Sequence, residues 1–114
     1  MAIFQNLYVW QESAELAVSM IRLADGLATR NHYALANQVV RASLSVPSNI
    51  AEGQGRSTTR DRRHFLIQAR GSLYELETQL EILSRAGLWT MDESVQTRIR
   101  KISAGLTKII NRLG

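Results

Sequence analysis

With 114 residues, 45% of them hydrophobic and only 6% aromatic, the chain has material for one aliphatic core and reads as one domain over residues 1–114. Cysteine is absent, which excludes disulfides and thiolate metal sites. Fourteen basic residues, twelve of them Arg, against ten acidic ones give a net charge of +4, a balance that suits a polyanion partner. The first six residues lack the basic-then-apolar pattern of a secretory signal, and no apolar run approaches the roughly 18 residues that cross a bilayer. A cytoplasmic protein away from membranes is expected.

Four periodic segments follow in chain order, without internal repeats. The first covers about residues 7–28, with Asn6 as its expected N-cap. Its apolar positions form two adjacent stripes, Trp10, Ala14, Ala17, Ile21 and Ala24 beside Leu16, Met20, Leu23 and Leu27, together spanning roughly 220° of a helical wheel. The second starts near residues 31–33 and reaches Glu52, ending at Gly53 and Gly55, which bracket a tight turn where positive φ is tolerated. Leu35, Val39, Ala42, Val46 and Ile50, joined by Val40, Leu44 and Ala51, again cover about half the wheel. Pro47 deprives Ser43 of a helical hydrogen bond. Either the helix kinks there or it breaks and restarts, and the apolar phase on both sides favours the kink.

The third segment begins at the caps Ser57 and Thr58 and stops at Gly87. Its stripe, Leu66, Ala69, Leu73, Leu76, Leu80 and Leu83, is narrow, as expected for a helix facing one core. Gly71 and Ser72 lie mid-helix, where glycine costs about 1 kcal/mol, so a close helix approach is expected at this point. The fourth opens with Thr90 and Glu93, spaced as a capping box, and runs to Leu113. Val95, Ile99, Ile102, Leu106, Ile109 and Leu113 form its stripe. Short connections favour antiparallel neighbours, so an all-α, antiparallel up-down four-helix bundle is expected, with helix 2 kinked near Pro47. The contiguous apolar surplus on the first two segments predicts self-association.

Certain strings carry a resemblance. Segment two and its exit contain Gln38-Val39-Val40-Arg41-Ala42 and Ser45-Val46-Pro47-Ser48-Asn49-Ile50-Ala51-Glu52-Gly53-Gln54-Gly55-Arg56. Segment three holds Ala69-Arg70-Gly71-Ser72-Leu73 and Glu75-Leu76-Glu77-Thr78-Gln79-Leu80, and the chain opens with Phe4-Gln5-Asn6-Leu7-Tyr8-Val9-Trp10-Gln11. Together these resemble the bacterial four-helix-bundle proteins called the 23S rRNA intervening-sequence family, over almost the whole chain. The resemblance implies a homopentamer of antiparallel four-helix protomers without known catalysis, some members being encoded within insertions in the large-subunit ribosomal RNA gene. A more distant relative, the accessory protein of diversity-generating retroelements, is a basic pentamer that works with a reverse transcriptase and its RNA.

Gln38, Arg41, Ser45, Ser48, Asn49 and Glu52 share one polar arc of segment two, with Gly53 and Arg56 at its exit. Arg41 and Glu52 are about three turns apart, too far for a direct pair. Partners from segment three or another subunit are needed, with Arg56, Arg63 or Arg70 available to Glu52. A hydrogen-bond network, interior or between subunits, is the favoured role over a ligand site. Neither His32 nor His64 has a ligand at helical spacing, and no nucleophile elbow, phosphate loop or dinucleotide fingerprint occurs. No catalytic residue, metal or cofactor is expected.

Two basic clusters remain. Arg56, Arg60, Arg62 and Arg63 crowd the start of segment three, where the helix dipole disfavours positive charge unless an anion is near. Arg98, Lys101, Lys108 and Arg112 form a ridge on segment four, which would track phosphates or lie solvated against the acidic first segment. No aromatic residue interleaves with them in sequence, so weakly sequence-specific backbone binding of RNA or DNA is the expectation. The alternative is a scaffold that docks an acidic protein partner.

Overall fold

The computed structural model describes residues 3–114. A short 3-10 turn, Ile3–Asn6, leads into four α-helices: α1 (Tyr8–Thr29), α2 (Tyr33–Gln54), α3 (Thr59–Arg85) and α4 (Glu93–Leu113). No strand occurs among the described residues. Helix α1 packs on α2 and α4, and α3 packs on the same two, so α1 and α3 lie on one diagonal and α2 and α4 on the other. Each helix is antiparallel to the next, the up-down arrangement that short connections impose.

The helix ends follow from local chemistry. Leu7, not Asn6, occupies the N-cap position of α1 and makes no side-chain cap bond; Phe4 instead packs edge-on against Trp10, with ring centroids 5.3 Å apart. Asn31 turns the chain between α1 and α2 with a φ of 67°, a conformation Asn tolerates better than most residues. Thr58 caps α3 by accepting from the Asp61 N–H at 3.1 Å. At its far end Leu88 N donates to Leu83 O and Gly87 N to Ser84 O, with Gly87 at φ 72°. This is a Schellman stop, whose left-handed position favours glycine. For α4 the capping box of Thr90 and Glu93 gives way to a cap two residues later. Asp92 accepts from the N–H of Ser94 at 2.8 Å and from its hydroxyl at the same distance. A carboxylate beside two orphan donors of the first turn outcompetes the threonine.

All six stripe residues of α3 are buried, as their spacing predicts. The stripe of α4 veers at its end: Val95, Ile99, Ile102, Leu106 and Ile110 are buried, while Ile109 and Leu113 pack only against the rim. Helix α2 continues unbroken through Pro47, which removes the break-and-restart alternative; the bend expected there rests on proline sterics. The connection after α3 covers the core with Leu88, Trp89 and Met91.

Glycine marks where helices come closest, at places other than expected. A Cβ on Gly53 would lie 3.2 Å from Arg62 O and from Phe65 Cβ, so α2 crosses the start of α3 closely, and a larger residue would press the two apart by a few tenths of an ångström. A Cβ on Gly105 would sit 2.6 Å from Val9 Cγ1, which puts α4 hard against α1. Of the pair expected at a close approach, Ser72 does meet α2, its hydroxyl 2.8 Å from that of Ser45, whereas Gly71 is exposed and a Cβ on it would find nothing within 4 Å. Gly53 and Gly55 also lack positive φ, because α2 simply runs on to Gln54.

Candidate functional site

The polar arc of α2 meets α3 within the same chain. Arg41 Nη2 donates to Gln38 Oε1 at 2.9 Å and to a carboxylate oxygen of Glu75. One turn on, Ser45 Oγ pairs with Ser72 Oγ at 2.8 Å, and Asn49 Nδ2 donates to the Ser45 carbonyl at 2.8 Å and its hydroxyl at 3.0 Å. Glu52 accepts from Arg56 at 2.9 Å, and the Arg56 guanidinium lies 4.5 Å from the centre of the Phe65 ring. Arg41 and Glu52 are therefore in separate pairs. The arc is a ladder of side-chain bonds stitching α2 to α3, while Ser48 stays exposed on the other side. The exposed ion pairs in it add little each; the half-buried Ser45–Ser72–Asn49 step fixes register more than it adds energy.

The basic residues divide into those with partners and those without. Arg63 Nε donates to Ile110 O at 3.2 Å, a second bond to a carbonyl that already accepts from the Gly114 N–H at 3.1 Å. Arg98 pairs with Glu12 across the α1–α4 seam at 3.4 Å, the rim bridge to the acidic first helix. Arg62 is half-buried, and its Nε is shut away without a hydrogen-bond partner. With Arg56 held by Glu52 and Phe65, only Arg60 of the first cluster is fully outward. Packing and pairing thus account for most of that cluster without an anion.

On α4, Lys101, Lys108 and Arg112 are exposed and enter no ion pair among the described residues. Arg100 joins them. It lies off the 3-7-4 ridge on the side toward α3, and a single-stripe reading passes over it. There it borders a shallow groove with Ser103, Thr107, Lys108 and Asn111. Arg70 of α3 donates to Thr107 Oγ1 at 3.1 Å, and the Tyr74 hydroxyl sits 3.5 Å from Ser103 Oγ. Tyr74 itself lines the adjoining groove, with Glu77, Glu81 and Arg85.

The opposite side of the bundle carries a groove of another kind. Between α1 and α2, Trp10, Ala14, Val18, Ile21, Leu44 and Pro47 line a hollow that contains no charged side chain. Val18, Ile21 and Leu44 are 41–44% exposed. This is the surplus apolar surface of the first two segments, concentrated in one strip.

No group of three or more His, Asp or Glu that could hold a metal ion occurs among the described residues, and no helix among them is long and apolar enough to cross a membrane. The exposed Asp92 is displaced from its ordinary acidity. The Ser94 hydroxyl and N–H hold its carboxyl below the usual carboxylate range.

Four antiparallel helices joined by short turns, with a polar ladder along one seam, define a small up-down four-helix bundle. More specifically, residues 5–112 match the family of 23S rRNA-intervening sequence proteins, and the chain belongs to that family. A solved structure similar to it is a protein of unknown function from the S23 ribosomal protein family of Bacteroides thetaiotaomicron. That structure is 25% identical with a TM-score of 0.70, over 92% of this chain and 94% of that one. No curated protein matches the chain.

Proposed function

We propose that this protein is a non-catalytic accessory factor of the cytoplasm that self-associates through its α1–α2 face and holds the backbone of RNA or DNA on its α4 side. The observation that carries the reading is the separation of two surfaces on one small bundle. The strip around Val18, Ile21 and Leu44 holds no charge, while Arg100, Lys101, Lys108 and Arg112 stand exposed and enter no ion pair among the described residues. Water disfavours the first surface, and a second copy of the chain would cover it. Repeating the second surface around a closed assembly multiplies its field. Five copies is the number that the family resemblance implies.

Lys101 to Arg112 spans about 16 Å along the helix axis, equal to roughly five phosphate steps of a duplex strand. Light scattering coupled to gel filtration is expected to give a multiple of the 12.8 kDa chain, with Ile21→Asp plus Leu44→Glu returning it to one copy. Titration of a labelled RNA at two salt concentrations is expected to show binding that weakens steeply with salt, and replacing Lys101, Lys108 and Arg112 by Gln should flatten that slope. Absence of binding at low salt would refute the nucleic-acid reading. A single acidic protein captured in spite of nuclease treatment would put a docking scaffold in its place.

A further inference from the structure

We propose that copies of this chain join head to tail, the α1–α2 hollow of one being filled by the outer face of α3 of the next. The inference rests on the self-association reading above and adds which part of the second copy makes the contact. The hollow lined by Trp10, Ala14, Val18, Ile21, Leu44 and Pro47 contains no charged side chain. Set against its own image across a two-fold axis, it would face a second hollow and leave both short of packing atoms. It needs a projecting apolar line from elsewhere on the surface. Among the described residues nine large apolar side chains are exposed; six belong to α1 and α2, and the other three, Ile67, Tyr74 and Ile82, all belong to α3.

These three lie within about 80° of the helical wheel, on the side of α3 turned away from its buried stripe. Gly71 and Thr78, which fall between them on the same line, carry no charge. The line from Ile67 to Ile82 runs about 22 Å, enough to occupy the hollow from Trp10 to Ile21, about 17 Å long. The rims carry opposite charges. Arg22, next to Ile21, is the only cation of α1, and Glu77 flanks the ridge beside Thr78. Both are exposed, and neither enters an ion pair among the described residues. Glu81 and Arg85, at the far end of the line, neutralise each other. A neighbour's α3 laid parallel to α1 brings its Glu77 to the side of Arg22. Contacts between two unlike faces can close into a ring, which a single self-matching face cannot. Helix α4 belongs to neither face, so its exposed cations stay free for a polyanion.

Light scattering coupled to gel filtration would be run on the full chain, on the strip variant Ile21→Asp plus Leu44→Glu, and on a ridge variant, Ile67→Glu plus Tyr74→Glu. Far-UV circular dichroism checks that each stays helical. Each variant alone is expected to run as one copy, and an equimolar mixture to form a two-chain complex from the one intact strip and the one intact ridge. A ridge variant that keeps the wild-type mass, or a mixture that stays at one copy, overturns the proposal. Arg22→Glu and Glu77→Arg are each expected to weaken assembly about two- to five-fold, and together in one chain to restore it. Losses that add instead of cancelling also overturn it, and this pair decides alone where a double variant loses its helices. A wild-type chain that runs as one copy means that the self-association reading itself has failed, whereas an oligomer untouched by the ridge variant fails only this inference.

Discussion

Replacing Gly105 by Ala tests the packing of α4 on α1. Taken alone, glycine to alanine within a helix gains about 1 kcal/mol. At Gly105 the added methyl would stand 2.6 Å from Val9 Cγ1, far inside van der Waals contact. Valine is held to essentially one rotamer in a helix and cannot swing aside; the helices must part, at a cost of about 1–3 kcal/mol. The expected outcome is a net loss of about 1 kcal/mol. Gly71→Ala supplies the matched control, because its methyl meets nothing within 4 Å and should bring a gain of about 1 kcal/mol. The two variants should therefore separate by about 2 kcal/mol, or on the order of 8 °C in melting temperature. Urea denaturation followed by far-UV circular dichroism, at one protein concentration, measures both. Val9→Ala in the Gly105→Ala background removes the clashing carbon and should show a favourable coupling in a double-mutant cycle. If Gly105→Ala proves as stabilising as Gly71→Ala, the α1–α4 approach is not tight and the reasoning is wrong.

Three further outcomes are expected. Arg63→Ala removes the donor to Ile110 O and should cost about 1 kcal/mol, with amide exchange accelerating at the end of α4 before it does elsewhere. Thr58→Ala should cost about 1 kcal/mol through loss of the α3 cap, and Thr58→Ser much less; equal losses would exclude the hydroxyl as the agent. Asp92 is held below its ordinary value of 3.8 by Ser94, so its ionised form favours the folded state. That contribution is complete above this value and disappears as pH falls through the lower, folded-state one. Asp92→Asn keeps a cap but cannot titrate, and its stability should depend less on pH below 4 than that of the wild-type chain.

Much of the architecture was legible because helical periodicity reports burial directly. The α3 stripe from Leu66 to Leu83 is the clearest case; of the wide apolar faces on the first two segments, Leu16, Met20, Leu27, Val39, Val46 and Ile50 close inside the protomer, and Ile21 and Leu44 stay exposed beside Val18. Ends were less legible, since caps compete. Asp92 displaced Thr90 because a charged acceptor two residues later satisfies the same donors better. The crowded glycine was hidden for a related reason: composition says that glycine is costly in a helix, but only the crossing of α2 over α3 shows that Gly53, and not Gly71, is the one closely approached. The polar ladder needed Glu75 and Ser72 from α3, and sequence could state that such partners were required without choosing them.

Helix α2 lies against both of its neighbours more extensively than α4 does, so the first three helices form the better-consolidated part of the bundle and α4 the rod that closes it. A sparsely packed element is the first to open in native-state fluctuations. The cations without partners ride on that rod. A polyanion laid along α4 would thus act as a splint for the weakest member of the fold, and by mass action its binding would raise the resistance of the whole chain to unfolding.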